Sequence, residues 1–61
     1  MPLVELARYT DRGEIAIARS LLASAGIESF IFDQEMMLVP ARLMVLDEDD
    51  AAARQVLREA S

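Results

Sequence analysis

Arg42-Leu43-Met44-Val45-Leu46 (RLMVL) is a nearly continuous apolar run that stops abruptly at Asp47-Glu48-Asp49-Asp50. A short apolar run closed by a charge cluster has the length of a strand, and one without alternation suits a strand buried on both sides. The four carboxylates that follow complement the positive end of a helix macrodipole. They open a helix that reaches about Ala60, with Ala53, Val56, Leu57 and Ala60 on one face.

Upstream, Gln34 to Ala41 turns the chain, because Pro40 is ill suited to a central strand. Glu28 to Asp33 (ESFIFD) is rich in aromatic and β-branched residues and reads as a short strand. Before it lies a helix from about Arg12 to Ala25. Its apolar stripe is Ile15, Ala18, Leu21, Leu22 and Ala25, opposite Ala16, Arg19, Ser20, Ala23 and Ser24. Asp11 and Glu14 have the spacing of a capping box at its start. Gly26 stands where a left-handed residue ends a helix, with Ile27 placed to make the accompanying apolar contact. Leu3 to Tyr9 (LVELARY) has a strand-like rhythm, with Val4, Leu6 and Arg8 on one face and Leu3, Glu5, Ala7 and Tyr9 on the other.

The order β-α-β-β-α predicts an α+β fold in a single domain, residues 1–61. The expected architecture is a βαββα two-layer sandwich: a three-stranded antiparallel sheet in the order 1-3-2 with two helices on one face. A right-handed first crossover leaves room for the last strand between the other two, so Arg42–Leu46 is central. One sheet face is then left without helices. Either Leu43 and Val45 or Met44 and Leu46 point away from the helices, and Phe30 and Phe32 oppose Ile31 in the same way. The pattern leaves this choice open, since a one-residue slip exchanges the faces. An exposed apolar patch marks an interface. With the adaptable methionines included, the candidate interaction residues are Phe30, Phe32, Met36, Met37, Met44 and Leu46.

Composition narrows the function. A 61-residue chain buries only about 60% of the surface it exposes when unfolded. It contains no cysteine for a disulfide or thiolate metal site and no histidine to act as base or ligand. A hydrophobic content of 54% leans toward association, and a homodimer is expected. Eleven acidic residues against six arginines, with no lysine, leave a net charge of −5. That field repels phosphate backbones, so no nucleic-acid partner is expected. The start lacks the pattern of a signal peptide. Met36–Leu46, the longest apolar stretch, is interrupted by Pro40 and Arg42 and falls short of the ~20 residues that span a bilayer. A soluble, cytoplasmic protein with no membrane partner is the expectation.

Candidate chemistry reduces to structural roles. Asp11 and Glu14 have cap spacing, and their carboxylates fill the helix start beside Arg12-Gly13 where an anion would otherwise sit. Asp47–Asp50 lacks the alternate spacing and glycine of a calcium loop. Tyr9 and the hydroxyls of Thr10, Ser20, Ser24 and Ser29 have no histidine or lysine to activate them. No enzymatic activity, metal or cofactor is expected. Arg8 and Arg42 are expected to pair with Glu5 or Glu28 across strands.

These residues carry a resemblance. Leu3-Val4-Glu5-Leu6-Ala7-Arg8-Tyr9-Thr10-Asp11, Glu14, Ala18-Arg19, Leu21-Leu22 and Ala25-Gly26-Ile27, then Arg42-Leu43-Met44-Val45 and the acidic helix start, resemble the small bacterial domains of the DUF2007 family. The resemblance covers nearly the whole chain. It implies a ferredoxin-like, PII-reminiscent α+β fold and a role in bacterial signal transduction. The segment Gln34–Ala41 is shorter than the glycine-rich loop of many members, which counts against a ligand site on that loop. The function expected is a non-enzymatic interaction or regulatory module acting through an apolar sheet face or edge, with a protein partner. The alternative is a small-molecule sensor with its ligand at a subunit crevice, where Arg8, Arg42, Gln34 and Glu35 could supply polar groups.

Overall fold

The computed structural model describes residues 2–32 and 41–60. The elements follow in the order β1 (Leu3–Tyr9), α1 (Arg12–Ser24), β2 (Ser29–Phe32), β3 (Ala41–Leu46), a 3₁₀ turn (Asp47–Asp49) and α2 (Asp50–Ala60). The three strands form one antiparallel sheet in the order β1-β3-β2. The domain's principal extents of 30 × 27 × 14 Å leave room for two layers, one of helix and one of sheet. The fold is thus the small α+β, ferredoxin-like sandwich that the element order predicts.

Local chemistry explains the ends of α1. Asp11 is its N-cap, in extended conformation, and Asp11 Oδ1 accepts the Gly13 N–H at 2.9 Å. The bond goes to Gly13 rather than to Glu14, so the cap is a single carboxylate and not a reciprocal box. At the other end Gly26 adopts φ +78°, a backbone state that side chains disfavour. The Gly26 N–H then reaches Ala23 O and the Ile27 N–H reaches Leu22 O, each at 2.9 Å. These are the paired bonds of a Schellman motif. Its apolar contact is in place too, because Ile27 and Leu22 share the buried core.

That core lies between the sheet and the helices. Ile15, Ala18 and Leu22 of α1 and Ala53 of α2 meet Ala41, Leu43 and Val45 of β3, with Leu6 from β1. Leu22, Leu43 and Val45 have no exposed surface. β3 is therefore buried on one side only. Arg42 is exposed and Met44 and Leu46 half-buried, because no helix covers that face.

β1 departs from the simple alternation. Glu5 pairs with Met44, but Ala7, not Leu6, pairs with Leu43, so Leu6 is the extra residue of a β-bulge. Past it the faces exchange. Ala7 and Tyr9 join Val4 and Leu6 on the helix side, and Arg8 moves to the open side opposite Arg42. Had the alternation continued, Arg8 would have entered the core, where an unpaired charge is far costlier than a disturbed ladder.

Replacing Asp11 by Ala is expected to destabilise the fold by about 0.5–2 kcal/mol, the usual loss for an N-cap. Urea unfolding followed by far-UV circular dichroism checks this, and an unchanged midpoint would show that the cap contributes nothing.

Candidate functional site

Residues directly opposite on paired strands share a face, and the register assembles the open one row by row. Leu3 stands beside Leu46; Glu5, Met44 and Phe30 form the next row; Arg8, Arg42 and Phe32 form the one after. Four of the expected interaction residues, Phe30, Phe32, Met44 and Leu46, are thereby brought together. Phe30 and Phe32 are 38% and 44% exposed, high values for large apolar rings. Met36 and Met37 lie outside the described residues, as do Gln34 and Glu35.

The pattern did not reveal that Leu3 and three charged side chains belong to this patch. Arg8 Nε donates to Glu5 Oε2 at 2.9 Å. The two are three residues apart, a spacing that puts strand residues on opposite faces unless a bulge intervenes. The pair is therefore made within β1 rather than across strands. Arg42 faces Arg8 directly, and like charges opposite one another are unfavourable. Its charge acts on Glu5, on the diagonal.

Electrostatics agree with this geometry. The hydrogen bond from Arg8 holds the Glu5 carboxyl below the usual glutamate value; desolvation opposes it, and the charges of Arg8 and Arg42 lower it further. A carboxyl lowered on folding stabilises the fold above its unfolded value. That contribution is lost as the pH falls through the folded value, so it acts only on the acid limb. Both groups are exposed, and the effect on stability is small.

Two further arginines guard the outer strands. Arg19 of α1 donates to Ser29 Oγ at 3.3 Å and to Ser29 O at 3.4 Å. Arg54 of α2 donates to Glu5 O at 3.3 Å, with its Nε held on the Asp50 carboxylate at 3.1 and 3.2 Å. Occupied main-chain acceptors blunt an edge against added strands.

Elsewhere the surface carries open grooves. A groove of about 740 Å³ runs between α1 and β2, lined by Ala16, Ser20, Ala23 and Glu28 and crossed by Arg19. On the helix side Ile17 is 63% exposed, beside Tyr9, Leu21 and Leu57. Asp47–Asp50 occupies the 3₁₀ turn and the first residue of α2. Among the described residues, no group of three or more acidic side chains is arranged to hold a metal ion, and no helix is long and apolar enough to cross a membrane.

The Glu5 carboxyl is expected to titrate below ordinary glutamates in an NMR pH series, and Arg8→Ala is expected to move it up. An unshifted midpoint in Arg8→Ala would remove Arg8 as the cause.

No curated protein and no solved structure matches this chain. A family profile does, over residues 3–61, and its description reads "Putative prokaryotic signal transducing protein". A match over all but the first two residues places the chain in that family, DUF2007.

Proposed function

We propose that this domain is a non-catalytic interaction module of prokaryotic signal transduction, working in the cytoplasm through its open sheet face as a homodimer. The observation that supports the reading is the gathering of Leu3, Phe30, Phe32, Met44 and Leu46 on the one sheet face without helices. Contiguous apolar surface of this kind is characteristic of contact sites. The guarded edges favour the face over strand addition. The signalling role draws on the family description.

A second reading, the small-molecule sensor, draws on Arg8 and Arg42 standing opposite each other with one carboxylate between them. It predicts a saturable rise in melting temperature with small anionic ligands, since a ligand bound only by the native state stabilises it. A flat thermal-shift screen would leave the interaction module alone.

Light scattering behind a sizing column, from micromolar to millimolar protein, tests the leading reading. A mass rising from one chain to two is expected, with Met44→Glu held at one chain at every concentration. A wild-type protein that stays monomeric would overturn the homodimer, and a Met44→Glu variant that still dimerises would overturn this face.

A further inference from the structure

We infer that the open face is self-complementary, so that two copies stack across a two-fold axis running perpendicular to the strands, with Glu5 of each copy against Arg8 of the other. The inference rests on the homodimer reading above and specifies its geometry.

Two rows decide it: Glu5, Met44, Phe30 and Arg8, Arg42, Phe32, each in the order β1, β3, β2. Stacked sheets related by a two-fold have that axis in the plane between them, and in aligned stacking it runs either along the strands or across them. An axis along the strands places β1 over the partner's β2 and β3 over itself. Arg42 then meets its own copy, and Glu5 meets an aromatic ring. Both contacts are unfavourable, since a charge loses water without gaining a partner.

An axis across the strands, midway between the rows, exchanges them. Glu5 meets the other copy's Arg8 twice over, Phe30 meets Phe32, and the Met44 thioether lies against the Arg42 guanidinium. Aromatic pairs of this type are favourable beyond their buried area, and a planar guanidinium tolerates stacking better than an ammonium would. Each Glu5 is then flanked by its own Arg8, the other copy's Arg8 and, diagonally, the other copy's Arg42.

Both partners have capacity to spare. Among the described residues, Arg8 bonds through Nε to Oε2 of Glu5, and the outer nitrogens of a guanidinium can take a second carboxylate. The charge of the whole chain helps as well. Arg8, Arg42 and Glu5 sum to +1, so the other ionisable residues carry −6 of the total −5. The described charges of the face are thus net positive on an acidic molecule, and contact there keeps other acidic surfaces of the two copies apart.

Size sets the strength. Three strands spaced ~4.8 Å, read over six or seven residues, make a face of roughly 15 Å by 20 Å, or about 300 Å² per copy. The two copies together bury roughly 600 Å², below the ~1,200 Å² typical of stable complexes. The dimer is a reversible one, populated or dispersed by changes in concentration.

Charge exchange tests the geometry. Arg8→Glu presents carboxylates at both positions, and Glu5→Arg presents guanidiniums at both. Each variant alone is expected to dimerise at least ~10-fold more weakly than wild type, a penalty of the size close interfacial charge pairs produce. An equimolar mixture is expected to recover dimerisation as a heterodimer, which native mass spectrometry distinguishes from either homodimer. Dimers that survive in both single variants, or a mixture that stays monomeric while wild type dimerises, would overturn the stacking geometry and leave the face itself standing. A monomeric wild type would overturn both. If either reversal melts without cooperativity, Glu5→Gln and Arg8→Gln take their place. Each is expected to weaken the dimer several-fold, with the double variant no weaker than the singles; additive losses would overturn the pairing.

Discussion

Leu43 and Val45 have no exposed surface, and the strand that carries them has a neighbour on each side. That combination constrains every other element. β3 cannot slip by one residue without drawing Arg42 into the core and expelling Leu43 and Val45, and the register of both outer strands is counted from it. α1 and α2 pack where those two side chains point, and Phe30 and Phe32 are exposed because they share the other side with Met44 and Arg42. The candidate surface is thus the reverse side of the core-forming strand.

The bulge at Leu6 makes this arrangement compatible with the residues of β1. Two consecutive side chains, Leu6 and Ala7, turn toward the helices, and Arg8 returns to solvent. A bulge disturbs one or two ladder bonds, each with a net worth of about 1 kcal/mol. Burying an arginine without a partner costs several times that. The same irregularity brings Arg8 within reach of Glu5 and leaves the Glu5 carbonyl to Arg54. One local device therefore sorts the core, creates the ion pair on the open face and blunts the edge.

Association through that face fits the energetics of a small domain. Among the described residues nine make up the buried core, and a chain of this size holds only a modest net stability. Covering an apolar sheet face adds stabilisation without enlarging the chain. Because the face is small and carries charge, the proposed contact would respond to concentration and ionic strength.

Much of the fold was legible in the residues alone. Asp11, Gly26 and Ile27 delimit α1 by local hydrogen bonding, and the composition and element order specify the strand sequence 1-3-2, because these depend on neighbours in sequence and on chain handedness. The side of β3 that meets the helices was not legible, since RLMVL is apolar at every position but the first and either alternation would fill a core. Nor was the bulge, which depends on the match between β1 and its partner rather than on β1 itself. Phe30, Phe32, Met44 and Leu46 could be marked as surplus apolar residues, yet their gathering into one patch, and its Glu5, Arg8 and Arg42, emerged only from the cross-strand register. Sequence determined the elements; tertiary pairing decided the faces, because a period of two admits two answers and only packing against the helices selects one.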